Sequence, residues 1–194
     1  MPAQPRKRKP AFDREEGVAK AQTLFHRHGY DAVGVAELTR ELGINPPSLY
    51  AAYGSKAELF KRAMERYSAV TALPLDKLLG AGRPPAEALT ALLVAAARQY
   101  GSDAALRGCM VTEGMRADDE TARAMATELA QGASDAIRAY VQSVCPERSR
   151  QITDFVLVTM RGLSGFACLG LSQARLIETA KFAGLALEHE LAGR

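Results

Sequence analysis

The sequence predicts an all-α protein, and three observations carry that prediction. Alanine and leucine dominate a 194-residue chain that has no tryptophan, a composition that favours helices over strands. Apolar side chains recur at three- and four-residue steps, and no stretch alternates as a strand would. Successive segments are bracketed by residues that start and stop helices. With 47% hydrophobic residues, the chain can build a proper core, as one domain or two small ones, which excludes wholesale disorder.

Residues 1–12, MPAQPRKRKPAF, read as a flexible arm with four consecutive basic side chains, Arg6, Lys7, Arg8 and Lys9. Asp13 and Glu16 have capping-box spacing, with Asp in place of the usual Ser or Thr. Val18, Ala21, Leu24, Phe25 and His28 then form a rough helical stripe that Gly29 ends. After a short connection, Gly34 caps a helix from Val35 to Leu42, with Val35, Leu38 and Leu42 on one face, and Gly43 closes it. Asn45 is a strong N-cap, Pro46 fits the first helical position and Pro47 the second, so the prolines start a helix rather than break one. That helix ends near Tyr53, before Gly54. Ser55 and Glu58 form a capping box for a helix from Lys56 to about Val70.

Leu73 to Pro85 reads as a loop or broken helix. Pro85 opens a helix through Tyr100, with Leu89, Leu92, Leu93 and Ala96 inside. The stretch LRGCMVTEGM, residues 106–115, is apolar with small residues. Asp118 and Asp119 start a long helix to about Val144, which Pro146 ends. Arg150 to Leu171 and Ser172 to Leu191 read as the two final helices.

Several functions are excluded by what the chain lacks. Its three cysteines, Cys109, Cys145 and Cys168, are far apart and show no metal spacing, which fits a reduced cytoplasmic protein. His26 and His28 are two apart on a helix and do not face together, and His189 stands alone, so no metal and no cofactor are expected. The basic N-terminus is followed by a charged helix, not the apolar core of a signal peptide. The longest apolar run, Ile152 to Leu171, is interrupted by Asp154 and Arg161 and reads as a buried helix, not a membrane span. No nucleophile–base pair or phosphate loop points to an enzyme.

Charge is uneven. Residues 1–67 hold 12 Lys/Arg against 8 Asp/Glu, and residues 68–194 hold 13 against 14. That asymmetry suits a nucleic-acid-facing end on a neutral body. Two short helices joined through Gly43-Ile44-Asn45 make a helix-turn-helix. In INPPSLYAAYGSK, Leu49 is the inward anchor, and Ala51 and Ala52 let the backbone approach a partner closely. Tyr50 and Tyr53 offer hydroxyls for phosphates, and Lys56 adds a charge at the same rim. The alternative is a helical interaction module with no nucleic-acid partner and ordinary half-buried tyrosines.

Residues 24–67 resemble the DNA-binding domain of tetracycline-repressor (TetR) family regulators. The matching features are Phe25, Gly29-Tyr30, Val35, Leu38, Leu42-Gly43, Ser48-Leu49-Tyr50, Lys56 and Leu59-Phe60, and the match runs without a gap through residues 11–67. The resemblance implies a basic arm (1–12), a helix-turn-helix DNA-binding domain (13–70) and a helical ligand-binding and dimerisation domain (71–194). It implies a homodimeric repressor that leaves a palindromic double-stranded operator when an unidentified small-molecule inducer binds. Asn45, Pro46, Pro47 and Ser48 then occupy the groove-facing start of the recognition helix. Tyr50 resembles a phosphate-touching tyrosine, and Lys56 a phosphate-binding lysine. Tyr53 falls where the family has an aromatic, often Phe, which gives its ring more weight than its hydroxyl. The chain departs from the family at Val33 and Gly34, where members commonly carry Ser or Thr and a hydroxyl for phosphate. The Arg6–Lys9 run sits where some members have an arm for narrow A·T-rich minor grooves. The recognition helix has no Arg, Gln or Lys, leaving Asn45 and Ser48 as polar readers and Pro46, Pro47 and Ala51 for thymine methyls.

The same resemblance assigns the last two helices, roughly 150–170 and 173–191, to a four-helix dimer interface. Leu163, Phe166, Leu169, Leu176, Phe182, Ala183 and Leu187 are its candidates, the alternative being the chain's own core. A mainly apolar ligand pocket is expected among the central helices, with Tyr100, Met110, Met115, Phe155, Met160 and Phe166 as candidates against the same alternative. Cys109, in RGCMV, lies between Arg107 and Arg116 in sequence and near a helix start, a setting that favours thiol reactivity. Some family members sense electrophiles or oxidants through cysteine. Cys109 is therefore either such a sensor or a small buried apolar residue.

Overall fold

A computed structural model describes residues 12–80 and 82–191; the basic run Arg6–Lys9 lies outside them. Every regular element among the described residues is helical. The helices are α1 (Arg14–His28), α2 (Val35–Leu42), α3 (Pro46–Tyr53), α4 (Lys56–Thr71), α5 (Leu75–Leu78), α6 (Pro85–Tyr100), α7 (Met110–Gly114), α8 (Glu120–Val144), α9 (Ser149–Cys168) and α10 (Gln173–Leu191). A 3₁₀ turn, Pro146–Arg148, joins α8 to α9. None of the described helices is long and apolar enough to cross a membrane.

The caps follow from local chemistry. The Asp13 carboxylate accepts from the N–H groups of Glu15 and Glu16, and the Asn45 side chain from Ser48. Ser55 accepts from Glu58, and Asp119 from Ala122. Each satisfies orphan donors of a first helical turn. Gly43 closes α2 with φ 68° and ψ 28°, a left-handed conformation that glycine adopts without steric cost. The Gly43 and Ile44 N–H groups fold back on the Arg40 and Thr39 carbonyls. The segment 73–85, a loop or broken helix by sequence, contains the single turn α5.

Two apolar cores organise the packing. The first joins α1–α4 around Phe25, Leu38, Leu49, Leu59 and Phe60, and it continues into Met110 and Val111 of α7 and Ala122 and Ala126 of α8. Phe60 is its hub, with ring centroids 5.0 Å from Phe25 and 4.9 Å from Tyr30, distances at which aromatic pairs attract. A Cβ at Gly114 would stand 3.0 Å from both Phe60 and Ala126, so the glycine lets α7 sit between α4 and α8.

The second core holds Leu89, Leu92, Leu93 and Ala96 of α6, the four residues expected from sequence to face inward. Their partners come from three helices and include Ile137 and Val141 of α8, Val156 of α9 and Leu176, Ala180 and Leu187 of α10. At Gly184 of α10 any side chain would collide with Thr90 of α6, so these two helices meet at close range. Helix α8 is common to both cores. Its first half packs on the helix-turn-helix side and its second half on α6, α9 and α10.

Candidate nucleic-acid interface and ligand cavity

The helix-turn-helix presents α3 by its outer face. Leu49 and Tyr53 are its buried side chains, while Asn45, Pro46, Pro47, Ser48, Tyr50 and Ala51 are exposed. Tyr50 is 48% exposed at the rim, with a hydroxyl free for an outside partner. The Asn45 oxygen already caps Ser48 N–H at 2.9 Å, which leaves its amide NH₂ as the group to meet a base.

Tyr53 behaves differently from its neighbour three residues back. Its ring is 1% exposed, and its hydroxyl donates to the Arg14 carbonyl at 2.9 Å. Expected from sequence as a possible phosphate contact, this hydroxyl instead bolts α3 to the start of α1. A side chain at Gly17 would overlap that hydroxyl, so the glycine makes room for the bolt. Phe12 meets the Tyr53 ring edge-on at 6.1 Å. Lys56 is half-buried at the start of α4, its Nζ 3.9 Å from the centroid of the Tyr30 ring. Burial lowers its pKa, while the Asp31 and Asp119 carboxylates act against that shift.

Behind the reading head lies a cavity of about 370 Å³ at the seam between the two cores. Its walls come from the end of α4, α5, the end of α6, α7, the middle of α8 and α9. This volume is at the lower end of the range for small-molecule sites. Of the candidates from sequence, Tyr100, Cys109, Met115 and Met160 line it. Met110 instead packs in the first core at 2% exposure, because it begins α7 on the side facing α4. Phe155 and Phe166 stand on the outer side of α9 at 38% and 58% exposure, away from this cavity.

Sequence reasoning missed Tyr67, Thr71 and Gln99, which form the cavity's polar corner together with Tyr100 and Cys109. Tyr67 is held in its neutral form, its pKa raised first by burial and then by Cys109. Tyr100 is raised well above the ordinary range, again by burial first. The i, i+4 pairing of Tyr67 with Thr71 was visible in the sequence, but nothing local marked it as a cavity wall. Cys109 is half-buried, and its N–H donates to Ser164 Oγ at 2.8 Å. The nearby Arg107 guanidinium turns away, donating to the carbonyls of Ala104 and Leu171. Arg107 therefore does not face the thiol, and the phenols of Tyr67 and Tyr100 stand near it instead.

The dimer candidates divide into two sets. Leu163, Leu176 and Leu187 are 4%, 0% and 1% exposed and belong to the chain's own core, since α9 and α10 pack on α6 and α8 through those faces. Ala183 is half-buried against the same core. Phe166, Leu169 and Phe182 lie on the opposite faces, with Val158 and Leu185, all more than half exposed.

A helix-turn-helix with a bare outer helix, backed by a helical body with its own cavity, is the architecture of a DNA-binding regulator. The family model described as "Bacterial regulatory proteins, tetR family" matches residues 18–63. The HTH-type transcriptional repressor BdcR of Escherichia coli (strain K12) is 43% identical over 188 residues, 97% of this chain and 93% of that protein. The HTH-type transcriptional repressor ComR of the same strain is 40% identical over 62 residues, 32% of this chain and 30% of that protein. Among solved structures, a cysteine-substituted form of the TetR family transcriptional regulator CifR, complexed with 26-bp double-strand operator DNA, superposes with a TM-score of 0.77. It is 26% identical, with 92% of this chain and 98% of that chain covered. The chain belongs to the TetR family: it is a DNA-binding transcriptional regulator, not an enzyme.

The two tyrosines of α3 give a direct test of this geometry. Tyr53→Phe should lose about 0.5–1.5 kcal/mol of stability, the worth of one intramolecular hydrogen bond, and keep its DNA affinity. Tyr50→Phe should keep its urea midpoint and bind duplex DNA more weakly. Urea unfolding and fluorescence anisotropy on the same preparations measure both.

Proposed function

We propose that the protein is a cytoplasmic, ligand-responsive repressor that binds a palindromic operator as a homodimer and leaves it when a small molecule enters the seam cavity. The observation that carries this reading is the position of the cavity. It is walled by α4 and α8, which are also walls of the core beneath the recognition helix. A molecule that prefers one arrangement of those walls therefore biases the presentation of α3. Repression is supported by the similarity to the repressor BdcR, and operator binding by the similarity to CifR in complex with operator DNA.

Affinity comes from lysine, hydroxyl and backbone contacts to phosphates, with Tyr50, Lys56 and the Arg6–Lys9 run as the contributors we assign. Base discrimination falls to Asn45 and Ser48, with Pro46, Pro47 and Ala51 against methyl groups.

The dimer reading rests on the exposed faces of α9 and α10. Val158, Leu169 and Phe182 are 69%, 81% and 76% exposed. Grouped apolar side chains of this size mark an interaction surface. A two-fold axis through that surface would pair the helices into a four-helix bundle and set two recognition helices for successive major grooves.

The cavity also limits the inducer. Among the described residues that line it, none is acidic and Arg161 is the one charged side chain. The ligand class is thus an apolar molecule, neutral or anionic, whose polar group meets the Tyr67–Gln99–Tyr100 corner. A second reading makes Cys109 the point of contact for an oxidant or electrophile. It is favoured by one observation, that Cys109 opens onto the same corner.

Three measurements check these readings. Selection of genomic fragments on purified protein should enrich one palindromic site; Lys56→Ala should weaken binding and lower the log–log salt slope by about one, and an unselective, unaffected result would sink operator binding. Phe182→Arg should shift the protein to monomer in analytical ultracentrifugation without unfolding it, because that side chain is 76% exposed; a persistent dimer would place the interface elsewhere. Cys109→Ser should abolish the response of operator binding to peroxide or an enone if the thiol is the sensor, and an unchanged response removes that second reading.

A further inference from the structure

The connection between α1 and α2 carries two side chains with different roles. Tyr30 is buried, stacked on Phe25 at 6.0 Å, and it receives the Lys56 ammonium on its ring. Asp31, the next residue, is exposed but reaches across to the regulatory body. Its Oδ2 accepts from the Asp118 N–H at 2.9 Å and its Oδ1 from the Asp119 N–H at 3.5 Å. Asp119 is the N-cap of α8, with its own carboxylate on the Ala122 N–H at 2.8 Å. The start of α8 is thus braced twice, once by its own cap and once by a residue of the reading head. Lys56 sits in the electrostatic field of both carboxylates.

The other stretch of α8 that matters lies farther along the same helix. Leu129, Ala130, Gly132, Ala133, Ser134 and Ile137 line the cavity. They stand 10 to 18 residues past Asp119, or about 15–27 Å at 1.5 Å per residue. α8 is a single uninterrupted helix over that distance. One continuous helix thus connects the cavity wall to the first turn, where the hydrogen bonds to Asp31 are.

We infer that Asp31 is a positioning residue for operator binding. It clips the start of α8 to the Tyr30–Lys56 pair, so that a shift of α8 at the cavity is delivered to Lys56 as a movement away from the DNA phosphates. This rests on the reading of Lys56 as a phosphate contact and of the seam cavity as the inducer site. It adds the route between them.

A substitution can stand in for the unidentified inducer. Gly132 lines the cavity on an exposed stretch of α8, and a Cβ built there meets nothing within 4 Å, so Gly132→Phe adds a bulky side chain at the cavity's edge with open space at its Cβ. The experiment is a cycle of wild type, Asp31→Ala, Gly132→Phe and the double variant, titrated on the selected operator duplex by anisotropy. Removing the Asp31 charge near DNA raises affinity in both backgrounds and cancels in the ratio. Gly132→Phe should weaken binding about tenfold when Asp31 is present and less than twofold when it is absent. Amide hydrogen exchange at Asp118 and Asp119 should accelerate in Asp31→Ala, and Asp31→Asn, which keeps the shape and an acceptor, should restore part of the coupling. An equal effect of Gly132→Phe in both backgrounds, or none in either, overturns the clip. Binding unchanged by Lys56→Ala would instead overturn the phosphate reading on which the clip depends, so the two failures are told apart by different variants.

Discussion

The structure depends on one shared element: α8 packs into two cores at once. Ala122 and Ala126 close the core of the helix-turn-helix, while Ile137 and Val141 close the core of α6, α9 and α10. The physical consequence is that the reading head does not end where its own helices end. Phe60 touches the space that Gly114 and Ala126 leave for it, so the apolar surface of α4 is completed by the regulatory body. The division expected at residue 70 falls inside α4, which runs to Thr71, and the packing of α4 on α7 and α8 crosses it. The cavity lies where the two cores fail to fuse, and Cys109 packs against both of them.

Within the reading head the division of labour is set by burial. Leu49 and Tyr53 attach α3 to the body, and Tyr53 adds a hydrogen bond to the start of α1. This leaves the N-terminal turn and the Tyr50 side of α3 bare. The helix is short, eight residues, and isolated helices of that length are unstable in water. The Asn45 cap, Pro46 at the first position and those two buried anchors make up the deficit. The outward face is therefore free to be chosen for DNA, because it contributes little to folding.

The regulatory body shows the same economy on a larger scale. α10 lies so close to α6 that Gly184 admits no side chain against Thr90. With Leu176, Ala180 and Leu187 turned inward, the remaining face of α10 exposes Phe182 and Leu185. That exposed apolar face, on a helix already packed through its other side, is what supports the proposed dimer.

The sequence by itself determined most of the helices and their limits, because caps and stops are local; the short α7 was not among them. Asp13, Gly43, Asn45, Ser55 and Asp119 act on backbone groups within a few residues, and their chemistry is readable without knowing the fold. It also determined the helix-turn-helix, through the ordered residues from Phe25 to Phe60. What it left open was which face of each helix meets which partner. Tyr50 and Tyr53 are the same residue type three apart, yet only packing against α1 turns one inward. Leu187 and Phe182 are both apolar on one helix, and only the approach of α6 separates core from exposed surface. Tyr67, Gln99 and Cys109 come from three separate segments, and the clip from Asp31 to Asp118 spans 87 residues. Such contacts arise from the global arrangement of helices, which no local pattern encodes, and the cavity and the Asp31 bonds to the start of α8 were decided by tertiary structure alone.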